Sequence, residues 1–442
     1  MPASRWQGFV RLLPVVVAAA LLSACAPGAT PTPEQTATFT PEPTPTETET
    51  PLPTPTSAPT STPTPLPPSI NLWHSLPDRE TIQLEQEIGR FAESNPGVRI
   101  IPMRYEDDET LAGLAADKTA QLDVVLGNAR AIASLRDRQR IQPVEALYDD
   151  AFFQTLTRPG IEGVTADEHI WAVPHTIGMQ LLLFYNTALV AEPPADTRSM
   201  IDIATGLANA ERAGLGMNGL DPLWVIPWLS AFGGWPVDNQ GEITLDTGSM
   251  VDALTFMHSL AERPEAIHVV DDYNVGLEAF KAGQTAMWID GEWSLETLSQ
   301  NPELKLGVAR LPVLADTGLE PACLVAGKYF AIADNLAGDR LEAARLFVEQ
   351  MVGTESATRW TETFHTMPSM MAVLEADVVQ QDPFLRLSAT QLLAGRGTGL
   401  IDGMQTAMEL MRGPLEDVLL GRILPKEAAR GMQARADAVA PH

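Results

Sequence analysis

From Ile70 onward, short apolar runs take turns with stretches of helical periodicity, and this alternation constrains the fold most. Ile70-Asn71-Leu72-Trp73-His74-Ser75 reads as a strand running into a loop. Pro77-Asp78 open a helix in which Leu84, Ile88 and Phe91 follow i, i+4, i+7 and share one face. Pro96-Gly97 stop it and Val98-Arg99-Ile100-Ile101 forms a second strand. After another helix, Leu122-Asp123-Val124-Val125-Leu126-Gly127 forms a third strand that runs into Asn128. Strands separated by helices build βαβ units and a parallel sheet. Ligands of such sheets sit beyond the strand C-termini, so His74, Ser75 and Asn128 are expected at a crevice.

The chain before residue 70 has a different character. Arg5 and Arg11 precede and begin an apolar core, Leu12 to Leu22, that is short for a membrane span. It ends in Leu22-Ser23-Ala24-Cys25, which resembles the bacterial lipobox. That resemblance implies lipidation at Cys25 and a mature protein tied to the outer face of the cytoplasmic membrane. Residues 26–69 repeat Thr-Pro units with Glu34, Glu42, Glu47 and Glu49 and no basic residue. Such a segment has little to bury, and its prolines favour polyproline II. Extended at about 3.1 Å per residue it reaches on the order of 130 Å, the length of a stalk.

Composition narrows the partners. Acidic residues number 57 against 29 basic ones, for a net charge of -28. That balance argues against binding nucleic acid or an anionic membrane surface through charge. If Cys25 carries lipid, Cys323 stands alone and no internal disulfide forms. The seven histidines are scattered without zinc-ligand spacing, and no P-loop occurs, so neither a metal nor a cofactor is expected.

The rest of the chain is organised around residues 276–293, GLEAFKAGQTAMWIDGEW. Leu277 and Phe280 share a helix face, and Gly283 suits a helix C′ position that needs a left-handed backbone. Thr285-Ala286-Met287-Trp288-Ile289 reads as a buried strand that breaks at Asp290-Gly291. Trp293 then stands on a turn just past the strand end, with Asp290 and Glu292 beside it. A sugar fits such a place, its apolar face on the indole and its hydroxyls donating to the acids. A lone Trp is, however, more often simply core.

This stretch resembles the "F-x-x-G-x-x-A-M-x-x-x-G-x-W" signature of family-1 extracellular solute-binding proteins, the maltose-binding-protein-like group. Phe280, Gly283, Ala286, Met287, Gly291 and Trp293 fall in register. In that family the Trp after the Gly often stacks on bound sugar, which the resemblance carries to Trp293. "LWHS", the "F-x-x-x-N-P-G" helix end and "D-V-V-L-G" resemble the family's N-terminal lobe. Residues 170–186 resemble its first crossing between lobes. His175 there either faces the cleft or is a buried structural residue. Asp221-Pro222-Leu223-Trp224-Val225-Ile226-Pro227-Trp228 and Phe232-Gly233-Gly234-Trp235 resemble the helix whose aromatics line the sugar cleft. Leu223 and Ile226 depart from the aromatics of maltose binders, as do Met408 and Glu409 near the C-terminus. Leu306 to Pro312 resembles the return crossing, and Asp339 to Glu342 reads as a capping box. Arg396, in a Gly-rich loop, is expected to reach the ligand.

The resemblance therefore implies a two-lobed α/β fold of the periplasmic-binding-protein type II class, each lobe a mixed sheet flanked by helices. Residues 70–180 and 312–364 are expected to form one lobe and 181–311 and 365–442 the other. Candidate ligand contacts are His74, Ser75, Asn128, His175, Asp221, Trp224, Trp228, Trp235, Glu292, Trp293 and Arg396. The implied function is that of a monomeric, lipid-anchored binding protein. It captures a sugar or oligosaccharide by hinge closure and delivers it to an ABC permease. A lipid-anchored glycosidase is the rival, needing two carboxylates about 5–10 Å apart. No G-x-S-x-G or H-E-x-x-H motif supports it. A ligand sensor for a membrane receptor shares the fold and differs only in partner.

Overall fold

The alternation resolves into two mixed sheets and a small antiparallel pair, Thr165–Ala166 with His169–Ile170, in a computed structural model that describes residues 68–439, apart from Asn239, Thr398 and Ile401. The lipidation site at Cys25 and the Thr-Pro stalk lie outside the described residues. The strands are β1 (Ser69–His74), β2 (Arg99–Arg104), β3 (Val124–Asn128), β4 (Thr165–Ala166), β5 (His169–Ile170), β6 (Val173–Gly178) and β7 (Leu181–Asn186). They continue with β8 (Ala213–Met217), β9 (Ile267–Val269), β10 (Thr285–Gly291), β11 (Leu306–Ala309), β12 (Leu324–Ile332), β13 (Met367–Pro368) and β14 (Arg396–Gly397).

The first sheet runs β13-β6-β12-β3-β1-β2, with β14 paired to β12. Here β1 lies parallel to β2 and β3, with Leu72 opposite both Pro102 and Val124, as the βαβ reading requires. β12 enters antiparallel between β3 and β6 and makes the sheet mixed. The second sheet runs β11-β7-β10-β8-β9. Its centre, β10, is buried along its whole length, which is why Ala286 to Ile289 is an apolar run rather than an alternation, while the buried Asp290 needs hydrogen-bond partners. The core of one lobe gathers Phe91, Phe330, Phe347 and Trp360. That of the other gathers Trp224, Trp228, Met257, Met411 and Met432.

Of the three expected lobe crossings, the second falls elsewhere and the third is spread over several elements. The first crossing joins β6 to β7 through Met179 and Gln180. The second does not fall near residue 311. Val313 still pairs with Asp196, Thr317 Oγ1 donates to Ala231 O at 2.9 Å, and Ala322 N donates to Ser230 Oγ at 2.7 Å. These bonds hold the segment to the second lobe until Cys323 and Leu324. Nor does the chain leave the first lobe for good near residue 365, because β13 pairs with β6 and β14 with β12. Between those two pairings Leu374, Val379, Leu385 and Leu392 pack with Leu182, Phe184 and Trp288 on one face of the second sheet, and the helices Asp402–Leu419 and Pro425–Val439 add Met404, Met411 and Met432 to the core on its other face. The helix expected to start with a capping box begins at Gly338 with Ala337 at its N-cap and no side-chain cap. Asp339 lies in its first turn instead. Among the described residues no helix is long and apolar enough to cross a membrane.

Candidate functional site

A cavity of about 610 Å³ opens where the lobes meet. Asp108, Asn128, Arg130 and Gly327 line it from the first lobe, and Met179 and Leu324 from the crossings. The helix Asp402–Leu419 supplies Met404, Gln405, Met408, Glu409 and Arg412 from the second lobe. Asn128 ends β3 and caps the helix Ala129–Asp137, its Oδ1 accepting from Ala131 N at 2.8 Å. Its Nδ2 donates to Asp108 Oδ2 at 3.3 Å. Across the cavity Arg412 pairs with Asp221 at 3.2 Å. A second cavity of about 440 Å³ shares Gly399 with the first. Arg158, Glu162 and Thr165 line it from one lobe and Trp235 and Asp238 from the other, with Arg396 stacked on the Trp235 ring at 4.5 Å. A larger cavity of about 800 Å³ is lined by Asn95, Phe152, Leu346 and Met370 and by no strand of the second sheet, so it is not built to report lobe closure.

The end of β10 builds the other candidate surface. Asp290 is fully buried and accepts from Trp288 Nε1 at 2.8 Å, Ser294 Oγ at 2.6 Å, Tyr273 OH at 3.0 Å and Gly291 N at 2.8 Å. Burial pushes its carboxyl above the ordinary carboxylate value, and the four donors oppose that push. A 3₁₀ turn, Glu292–Ser294, follows the strand and exposes Trp293 to 42 %. The Trp293 Nε1 donates to Tyr273 OH at 2.9 Å, and its ring meets Trp224 edge-on at 6.1 Å. Trp224 is 3 % exposed, with Nε1 donating to Ile289 O at 2.8 Å.

Glu292 ties this turn to the first crossing. Its N donates to Gln180 O at 3.1 Å, and its carboxyl packs on Gly178, where an added Cβ would lie 2.2 Å from Oε1. Burial raises the Glu292 carboxyl to about 7, while the Met179 N–H opposes the rise. Its Oε2 is buried without a partner. Four residues on, Glu296 reaches Arg79 of the first lobe at 3.3 Å. Trp293 therefore lies between two points at which the lobes touch.

The sequence profile of bacterial extracellular solute-binding proteins matches residues 88–386. The chain belongs to that family. It is 20% identical over 402 residues to the sn-glycerol-3-phosphate-binding periplasmic protein UgpB of Salmonella paratyphi A, covering 81% of this chain and 90% of that protein. Among solved structures it superposes on the MalE maltose/maltodextrin-binding domain of Bdellovibrio bacteriovorus with a TM-score of 0.66 at 22% identity, over 84% of this chain and 99% of that one. The cyclic α-maltosyl-1,6-maltose binding protein of Arthrobacter globiformis gives a TM-score of 0.75 at 16% identity, over 84% and 99%. At these identities the structural likeness establishes the two-lobed fold.

In this solute-binding protein the expected site residues divide. Asn128 lines the cleft, and Asp221 reaches it through Arg412. Trp235 and Arg396 bound the smaller cavity; Glu292 and Trp293 hold the strand-end turn. Ser75 is exposed just past β1. Three others are placed differently from expectation, and for His175 the buried alternative is the one found. His74 is 1 % exposed, because the in–out alternation of β1 puts it on the buried face with Ile70 and Leu72. Its Nδ1 accepts from Leu76 N at 3.3 Å, and burial, with Arg104 nearby, lowers its pKa to about 4. His175 is core: β6 is covered on both sides, and the ring packs edge-on against Phe330 at 5.2 Å and Trp360 at 4.9 Å. Trp228 is 1 % exposed against Phe256, on the inward side of its short helix. Trp224 backs Trp293 instead of presenting its own face.

Sequence reasoning missed Asp108, Arg130, Met179, Gln405 and Arg412. The stripe Met404, Met408 and Arg412, at i, i+4, i+8 on one helix, was the legible signal for the last of these. Met179 has φ of 72°, in the left-handed region, and nothing in a Gly-Met-Gln tripeptide announces that.

Proposed function

We propose that this protein captures a carbohydrate between its lobes and delivers it to an ATP-driven importer, held at the membrane by lipid on Cys25. The observation that carries the ligand class is Trp293, a solvent-facing indole clamped at a strand end between two lobe contacts. Such a ring offers a flat apolar face to the C–H side of a sugar. Related proteins of this fold include the MalE domain bound to maltotriose. Ligand that touches Asn128 on one lobe and the Asp402–Leu419 helix on the other favours the closed form by its differential affinity. Driving that equilibrium from 1:99 to 99:1 takes about 5.5 kcal/mol, so several such contacts act together.

Binding rather than hydrolysis is the reading that fits the acids beside Trp293. Asp290 accepts four hydrogen bonds and Glu292 is wedged against Gly178, so neither is free to serve as nucleophile or acid on a glycosidic bond. A phosphorylated polyol is the second reading. It is favoured by Arg130 and Arg412 facing one cavity from opposite lobes, and by relatives that bind sn-glycerol-3-phosphate. Calorimetric titration of the full chain with maltotriose and with sn-glycerol-3-phosphate, followed by chromatography of the maltotriose sample, tests all three. Heat with maltotriose and no product is expected. Heat only with the phosphate transfers the assignment to the second reading, and released glucose or maltose sinks the binding-protein function.

A further inference from the structure

The geometry points to Asp290 and Tyr273 as positioning residues for Trp293, setting the angle of its ring and removing its N–H from ligand recognition. This inference deepens the platform reading and rests on it for its functional meaning. Its structural basis is separate. The network ends on a carboxylate: Trp293 Nε1 donates to Tyr273 OH at 2.9 Å, Tyr273 OH donates to Asp290 Oδ2 at 3.0 Å, and Tyr273 OH also lies 2.9 Å from Ser294 Oγ. Oδ2 also receives Ser294 Oγ at 2.6 Å and Trp288 Nε1 at 2.8 Å. Oδ1 receives Gly291 N at 2.8 Å. Four donors converging on one group require an acceptor-only side chain, which an ionised carboxylate is and an amide is not.

Two further contacts leave the ring a single free side. Trp224 abuts it edge-on, and Gly291 lies under it, where an added Cβ would come within 2.0 Å of the indole. The backbone at Gly291 has φ of -78°, which any residue adopts, so glycine is needed there for space and not for conformation. Trp288 donates to Asp290 and Trp293 to Tyr273, which itself donates to Asp290, so the core strand sets the position of the exposed ring. With its N–H spent on Tyr273, Trp293 presents only its π face. A ligand is therefore selected at this point by an apolar C–H face, and its hydroxyls or charges must be met by other side chains. A free indole N–H would instead have favoured an acceptor oxygen.

The test uses the full chain carrying 5-fluorotryptophan at its nine Trp positions, read by ¹⁹F NMR without ligand. Trp293→Phe identifies the Trp293 resonance by its disappearance. Tyr273→Phe removes one oxygen and keeps the ring, and should shift and broaden that resonance. Gly291→Ala should move the Trp293 signal and spare Trp288. Asp290→Asn should move both, since an amide sets donor against donor. In titrations with maltotriose, Tyr273→Phe should weaken binding roughly 3–10-fold, as one lost hydrogen bond predicts. If the Trp293 resonance is unchanged in both Tyr273→Phe and Gly291→Ala, the positioning role is wrong. If Trp293→Phe binds maltotriose as the parent does, the platform reading fails instead, whatever the spectra show. If Trp293→Phe loses affinity while Tyr273→Phe keeps it and its spectrum, the platform stands and the positioning role is overturned.

Discussion

Replacing His175 with Phe should stabilise the protein, and by more in acid than in base. His175 is 3 % exposed in β6, and both its ring nitrogens are buried without partners. Burial, with a smaller contribution from the Lys328 charge, lowers its pKa from 6.5 to about 3. The sign follows from proton counting. Below pH 6.5 the unfolded chain takes up a proton at this residue and the folded chain does not, so stability is lost as pH falls toward about 3. At pH 5 that loss is about 2 kcal/mol relative to pH 8, at 1.36 kcal/mol per pH step below 6.5. Phe fills the same edge-on contacts with Phe330 and Trp360 and has no nitrogen to protonate or leave unpaired. The variant should therefore gain about 1–3 kcal/mol at pH 8, from relief of an unsatisfied polar group. It should gain roughly 2 kcal/mol more at pH 5. Thermal melts or urea titrations of both proteins at the two pH values measure the difference. If parent and variant lose the same stability between pH 8 and pH 5, His175 either is not buried neutral or has a partner, and the reasoning fails.

Other expectations follow from the same geometry. Trp293→Ala should cost about 1–3 kcal/mol of maltotriose binding, by analogy with base stacking on aromatics, with little change in melting. Trp288→Ala should instead cost ~3–5 kcal/mol of stability, and a reversal of the two effects would exchange their roles. Glu292 is raised from 4.5 to about 7, so folding retains its proton and stability declines as pH climbs between those values. Glu292→Gln should match the parent at pH 4 and exceed it at pH 8, by at most on the order of 3 kcal/mol; equal melting points at pH 8 would contradict the wedge against Gly178. Burial pushes the Cys323 thiol up to about 12, so maleimide should label it only after denaturation, and rapid labelling of the native protein would show the second crossing to be open. Cys25→Ser should release the protein from membranes; a variant still retained there would exclude the lipid anchor.

The fold was legible because its signals are local. Gly283 has φ of 74°, as a helix C′ position needs, and the apolar run before Asp290 is a strand buried on both sides. Trp288 and Trp293 separate into buried and exposed because a strand end lies between them, and a sequence shows strand ends. The site was less legible because facing is a tertiary property. His74 and His175 occupy strand positions next to loops, where sequence offers cleft and core equally. Alternation with Ile70 and Leu72 settles the first, and cover from Trp360, far along the chain, settles the second. Arg412 and Asn128 meet across one cavity from positions far apart in sequence, and only the packing of the last long helix joins them. The second crossing was misplaced because Leu306 to Pro312 looks like a connecting strand. What delays the switch to Cys323 is a set of side-chain bonds to Ser230 and Ala231, invisible to periodicity.

That delay has a mechanical consequence. With residues 313–322 bonded to the second lobe and β6 separated from β7 by only Met179 and Gln180, the links at these two crossings are one and two residues long. Such short links leave little slack for sliding at these two points, and the crossings around β13 and β14 must follow the rotation they allow. Torsions at Met179, Gln180 and Cys323 would absorb most of the swing. Few backbone bonds change their freedom in such a movement, so closing freezes little chain entropy. The favourable contacts a ligand makes across the gap are then left largely intact as binding affinity, and a small molecule suffices to shut a large protein.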